Sequence, residues 1–185
     1  MAEMAAITPL HGRGLSRTQF SVRESSDYGL IRLQTFHRRA GQVDNLSRQL
    51  GLALPCPGTI LASDELRIFW SAPGEWVIAV PRGSERVKLT ELQARLDGMF
   101  TVLSVMTDSR VVLQLGGEQL RTILARGSSS DFRPSSFAEG RCLTTRFAGV
   151  PVMLVELPRE ECLLFADRSV ATYLLDWFQA ASRDC

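Results

Sequence analysis

Histidine, lysine and asparagine are scarce in this 185-residue chain, which has two histidines (His11 and His37), one lysine (Lys88) and one asparagine (Asn45). Two histidines leave almost no room for a histidine-based metal or acid–base site. No H-E-x-x-H pattern, paired cysteine ligands or EF-hand spacing offers an alternative, so the sequence predicts no bound metal. No apolar run approaches the roughly eighteen residues that cross a bilayer, and the longest candidates are broken by Arg, Glu or Pro. The opening stretch 1–10 carries Glu3 and has neither a basic start nor a long apolar block, so a secretory signal has no support. Cys56, Cys142, Cys162 and Cys185 are widely and unevenly spaced. That pattern predicts reduced thiols in a cytoplasmic chain rather than a disulfide framework.

Charge of one sign is also missing. Lys plus Arg number 21 against 20 Asp plus Glu, for a net charge of +1. Twenty of the basic residues are arginine, but acidic residues are interspersed throughout and Arg38-Arg39 is the single adjacent basic pair. A nucleic-acid binder would show a clustered basic excess, so the arginine bias reads first as coding bias, and no nucleic acid or membrane partner is expected. Apolar residues at 45% and charged residues at 22% suit a globular chain and exclude wholesale disorder. By size scaling, such a chain buries about 70% of its unfolded surface, enough for one sizeable core or two small ones.

Along the chain, residues 1–26 mix Pro9, Gly12, Gly14 and several serines without a sustained period and read as a surface arm. Tyr28 to Phe36 alternates as a strand, and Val43, Leu46 and Leu50 then repeat at helical spacing until Gly51. Thr59 to Ser63 and Leu66 to Trp70 flank Asp64-Glu65 like a hairpin, and Trp76 to Val80 follows the Pro73-Gly74 turn as another strand. Leu92 and Leu96 fit a short helix that Thr90 could cap and Gly98 could end.

The second half repeats this grammar. Arg110 to Leu115 reads as a strand, Gly116-Gly117 as a turn and Glu118 to Arg126 as a helix. A polar loop, Ser128 to Gly140, carries two apolar pins, Phe132 and Phe137. Cys142 to Phe147, Val152 to Leu157 and Cys162 to Phe165 read as strands. Val170, Tyr173, Leu174, Trp177, Phe178 and Ala181 then mark one face of a final helix. The predicted class is α+β: two similar two-layer units, each a mainly antiparallel sheet with helices packed on one face. Residues 27–99 form the first unit and 100–185 the second, joined around Phe100 to Thr107.

None of the candidate chemical groups amounts to an active site. His11 falls in the arm and His37 ends the first strand beside Arg38-Arg39, where surface histidines are the simpler reading. Gly116-Gly117 could present amides to a phosphate at a helix start, but Glu118 would repel it and the G-x-G-x-x-G pattern is incomplete. Asp108-Ser109-Arg110 reads as a turn opening a strand. Ser128-Ser129-Ser130-Asp131 reads as loop, with no G-x-S-x-G elbow and no nearby histidine. Trp70, Trp76, Trp177, Phe69 and Phe178 sit at core spacings, and any that remain exposed suit a protein interface. The predicted catalytic, cofactor-binding and metal residues are therefore none.

An ordered set of motifs adds a family. Trp70-x-x-Pro-Gly-Glu-Trp76 is followed by Asp108-Ser109-Arg110, then LQLGGEQLRTILARG, then Asp131-Phe132-x-Pro134-x-x-Phe137-x-x-Gly140 and Thr145. Asp167-Arg168-Ser169-Val170-Ala171-x-Tyr173-Leu174-x-x-Trp177 closes the set. Together, over residues 28–180, these resemble the gamma subunit of heterotetrameric sarcosine oxidase. Ser128 departs from the family, where a cysteine is expected, and Phe132 stands where leucine is usual.

The resemblance implies a non-catalytic subunit of a bacterial complex with alpha, beta and delta chains. That complex oxidatively demethylates sarcosine to glycine, hydrogen peroxide and formaldehyde or methylenetetrahydrofolate, and the other chains carry FAD, FMN, NAD, folate and zinc. It also implies a fold similar to domains of the folate-dependent aminomethyltransferase of glycine cleavage. A gamma-type subunit of an N-methylglutamate-oxidising complex and a stand-alone folate-binding module are the alternatives.

Overall fold

The computed structural model describes residues 8–36, 41–63 and 65–183. In chain order these form β1 (Leu15–Ser16), β2 (Ser21–Glu24), β3 (Tyr28–Thr35), α1 (Gln42–Leu50), β4 (Ile60–Ala62), β5 (Arg67–Ala72), β6 (Glu75–Pro81), α2 (Glu85–Arg95) and β7 (Thr101–Val105). There follow β8 (Arg110–Gly116), α3 (Leu120–Gly127), β9 (Cys142–Phe147), β10 (Val150–Leu157), β11 (Glu161–Asp167) and α4 (Ala171–Ala181). One sheet has the order β4-β5-β6-β3-β7 and the other β1-β2-β8-β11-β10-β9, and every neighbouring pair is antiparallel. This is the α+β class expected from the pattern.

The period of two along the central strands explains the layering, because successive side chains point to opposite faces. Trp76, Ile78 and Val80 of β6 join Leu46 and Leu50 of α1 and Leu92 of α2 in one core. Val77 and Ala79 between them face the other sheet. In the second sheet Val111, Leu113 and Leu115 of β8 pack with Leu120, Ile123 and Leu124 of α3 and with Leu174 and Phe178 of α4. The intervening Val112 joins Leu30, Phe69, Met153, Val155, Leu163 and Phe165 in a third core between the sheets. The order of layers is helices, sheet, sheet, helices. Strands buried on both faces read as continuous apolar runs, as β6 and β10 do.

Four expectations change. Residues 15–24, read as part of a surface arm, form β1 and β2, and β2 pairs with β8. Leu10, Phe20 and Val22 are their buried anchors, spaced too irregularly to show a period. Residues 101–105, placed at the joint opening the second unit, form β7 and pair with β3, so this strand completes the first sheet. Finally, α2 begins at Glu85, well before Thr90, whose hydroxyl donates back to the Arg86 carbonyl at 3.1 Å and caps nothing. The stripe on α4 is rotated as well. Ala171 and Leu175 are buried with Leu174 and Phe178, whereas Tyr173 is half exposed.

The Gly116-Gly117 turn receives the N-terminal strands. Gly117 has φ +113, and a Cβ there would run into the Gln19 carbonyl and the Phe20 backbone. The Gln119 amide donates to the same Gln19 carbonyl at 3.1 Å. Gly117→Ala is expected to lower stability by about 2 kcal/mol through strain at this φ, with further loss from displacing residues 19–20. Thermal unfolding and faster proteolysis within residues 8–24 are the measurements.

A buried ion pair pins the loop after α3. Glu156 of β10 is 3% exposed and takes a hydrogen bond from Arg121 of α3. Arg121 also donates to the carbonyls of Phe132 at 2.6 Å and Phe137 at 2.9 Å, fastening the two apolar pins of the loop. The second oxygen of Glu156 has no partner. Burial pushes its carboxyl up to about 7 against the opposing pull of Arg121. The folded chain therefore holds this proton to a higher pH than the unfolded chain, and its stability contribution falls as pH rises from ~5 to ~8. Glu156→Gln, which keeps an acceptor for Arg121, is expected to flatten that decline in melting temperature measured across this window.

Candidate functional site

The glycine turn and the serine–aspartate loop singled out in the sequence have structural occupations. Gly116 closes β8, and the amide of Leu120 returns to the Gly117 carbonyl at 2.9 Å while that of Gln119 is taken by Gln19. The start of α3 thus has engaged amides rather than a cradle for a phosphate. Ser128, Ser130 and Thr145 form a triangle of hydroxyl contacts at 3.1, 3.2 and 2.9 Å. Asp131 turns away from them, accepting from Arg133 at 2.7 Å and from Ser136 at 2.6 Å. These bonds hold the Asp131 carboxyl below the usual carboxylate range.

The cysteines are free thiols at Cys56, Cys142 and Cys162, and Cys185 lies outside the described residues. Cys142 donates to the carbonyls of Thr59 at 3.1 Å and Trp70 at 3.3 Å. Burial pushes its thiol up to about 11 and raises that of Cys162 further, so neither is a nucleophile near neutral pH. His11 is exposed in a turn, and His37 lies outside the described residues. Among the described residues no hydroxyl or thiol hydrogen-bonds a histidine, and no three His, Cys, Asp or Glu side chains gather as metal ligands.

The tryptophans serve the cores. Trp76 is buried with its indole nitrogen donating to the Pro55 carbonyl at 3.1 Å. Trp177 stands edge-on to Phe147 at 4.8 Å, and Phe178 stacks on the same ring at 5.3 Å. Phe69 meets Phe165 across the sheets at 5.3 Å.

One hollow was invisible in the sequence. Between the sheets, where β6 and β8 begin, a cavity of about 190 Å³ is lined by Leu30, Val77, Met106, Met153 and Phe165 with Ser71, Glu75, Arg110 and Thr144 at its polar side. Glu75 is already satisfied by Gln34 at 2.8 Å and Ser71 at 3.2 Å. Thr144 donates to the Ser71 carbonyl at 2.9 Å, stitching β9 to β5. Arg110 thus belongs to this gap as well as to the turn read from the sequence. Asp108 pairs with Arg82 at 3.4 Å on the exposed surface. The arrangement can hold surfaces together. It brings no nucleophile and base together.

The comparisons agree with this architecture. Over 134 residues the chain is 25% identical to the sarcosine oxidase gamma subunit of Corynebacterium sp. (strain U-96). The match takes in 71% of this chain and 64% of that relative, so it spans under two thirds of the relative's length. A chain of the heterotetrameric sarcosine oxidase from Corynebacterium sp. U-96, solved with pyrrole 2-carboxylate, superposes with a TM-score of 0.80 at 21% identity, covering 94% of this chain and 93% of that one. The glycine cleavage system aminomethyltransferase T from Bartonella henselae superposes with a TM-score of 0.65 at 17% identity, covering 95% of this chain and 48% of that one. The family model described as sarcosine oxidase, gamma subunit family, matches residues 40–184. The chain belongs to the sarcosine oxidase gamma subunit family.

Proposed function

We propose that this chain is the non-catalytic gamma subunit of a heterotetrameric sarcosine oxidase, in which it joins alpha, beta and delta chains and supports their assembly. The observation that carries the reading is the family match across residues 40–184. The overall reaction of such a complex is balanced as sarcosine, oxygen and water giving glycine, formaldehyde and hydrogen peroxide; with tetrahydrofolate as acceptor the one-carbon unit leaves as methylenetetrahydrofolate. The flavins, NAD, folate and zinc belong to the other chains in this reading. In support, the Gln19 carbonyl occupies the turn before α3, where it accepts from the Gln119 amide at 3.1 Å.

The contribution of this chain is then mechanical. Among the described residues two packed sheets flanked by helices form a scaffold whose outer surface can bury against larger chains and fix their relative geometry. A cytoplasmic setting suits three free thiols. Among the described residues no helix is long and apolar enough to cross a membrane.

Co-expression with the other three chains tests the proposal. The expected result is that omitting this chain abolishes the complex or cuts its sarcosine-dependent peroxide release, while the isolated chain releases none. An active complex of normal composition and turnover formed without it would overturn the assembly role. Faster turnover of N-methylglutamate than of sarcosine by the assembled complex would transfer the chain to the related oxidase.

A further inference from the structure

We propose that β7 is the docking edge of this chain, and that it takes up an extended, mainly apolar segment of another subunit, bearing one carboxylate opposite Ser104, as an added antiparallel or parallel strand. The inference depends on the reading of the chain as an assembly subunit and names the surface and partner chemistry that reading lacks.

Sheet edges present unpaired backbone groups, and proteins usually guard them with charge, brevity or cover. Three of the four edges here are guarded. β1 is two residues long. β4 and β9 are tied to each other's approaches: Ile60 donates to the Gly140 carbonyl at 3.2 Å, Cys142 donates to that of Gly58 at 3.1 Å, and β9 carries Arg146. β7, Thr-Val-Leu-Ser-Val, has five residues, no charge and no proline.

Its register shows which groups are open. Met106 donates to the Leu30 carbonyl at 2.9 Å, in the same register that pairs Ser104 with Arg32 and Val102 with Gln34. Alternation of an antiparallel ladder then directs the amides and carbonyls of Leu103 and Val105 away from β3. Among the described residues neither has a hydrogen bond on that outer side. Four of the seven exposed large apolar side chains among the described residues lie on β7 or where β3 and β7 meet at its start: Phe36 at 57%, Phe100 at 65%, Val102 at 43% and Val105 at 40%. Phe36 and Phe100 stand edge to face at 5.5 Å.

Charge decides between a foreign strand and a second copy. The side chain of Arg32, one strand inward and paired in register with Ser104, makes no hydrogen bond or ion pair among the described residues, and its Nε is sealed from water. A buried Nε–H with no acceptor is costly. Ser104 is small enough for Arg32 to reach across it toward a strand beyond β7. A carboxylate there would complete the pair. β7 itself contains no acidic residue, so edge-to-edge pairing of two copies would leave Arg32 unsatisfied.

Hydrogen exchange in the free chain and in the co-expressed complex reads the proposal directly. The Leu103 and Val105 amides are expected to slow by at least about tenfold on assembly. Val102→Lys with Val105→Lys is expected to block assembly, whereas Ala180→Lys on the exposed face of α4 leaves it intact, and both variants should melt within a few degrees of the parent. Arg32→Met is expected to weaken assembly by at least about tenfold without lowering the melting temperature of the isolated chain, as a purely structural arginine would. A complex that forms normally with the two amides unprotected overturns the docking edge and leaves the assembly role standing. Failure of the parent chain to join any complex overturns both. A homodimer of the isolated chain that the lysine pair dissolves, with the complex unaffected, would give the edge to a second copy and overturn the foreign strand.

Discussion

The packing of two antiparallel sheets through Leu30, Phe69, Val112, Met153 and Phe165 is the contact on which the remaining layers depend. It leaves the middle of β6, β8, β10 and β11 apolar on both faces, because their opposite faces must still receive helices. Each such side chain, fully buried, contributes roughly 1.5–3 kcal/mol relative to exposure. Among the described residues, that dual demand fills most inward positions of these four strands with apolar side chains and pushes polar groups toward the sheet ends. The polar side chains Ser71, Glu75, Arg110 and Thr144 are found at one such end, around the small cavity.

Arginine has a use inside this framework that the count alone did not reveal. Arg17 donates to the carbonyls of Ser182 at 2.8 Å and Gln179 at 3.3 Å, and Arg126 donates to that of Ala181, so two guanidinium groups close the end of α4. Arg95 does the same for α1 at Leu50. A planar fork with five donors reaches several carbonyls at once, and cations suit helix C-termini. Coding bias can account for twenty arginines against one lysine. It does not account for their placement on helix ends, where a lysine ammonium would serve less well. Arg17 also fastens the β1–β2 segment to α4, a reason these residues are ordered despite their loop-like composition.

Elements with one strong period were legible in the sequence, and those held by partners distant in the chain were not. β9 was read with its observed bounds because Cys142 to Phe147 alternates between two turns. α4 was read to within a residue, yet its buried face was set by packing against α3 and the second sheet, which rotated the stripe toward Ala171 and Leu175. β2 has four residues and one fully buried side chain, Val22, so only its pairing with β8 defines it. β7 was missed for the same reason, since its inward contact is Leu103 alone. The motifs of the second half carried the family because they lie where the chain turns: the Gly116-Gly117 turn is shaped to receive Gln19 and Phe20, and Asp167 accepts from the Ser169 amide at 2.9 Å before α4.

The two partly buried arginines, Arg121 and Arg32, show how a subunit differs from a self-sufficient domain. Arg121 has a carboxylate and two carbonyls from its own chain, and its pairing closes a loop over the second core. Arg32 sits on a strand of comparable burial with no such set, beside an edge that other sheets of this size would charge or shorten. A chain that stands alone would lose little by replacing Arg32 with an apolar residue, since a buried Nε–H with no acceptor is a cost without a return. A carboxylate supplied from outside the chain would give that group its acceptor. Exposed Val102 and Val105 flank Ser104 on the same edge, so a strand that docks there would cover them and exclude water from the ion pair formed with Arg32.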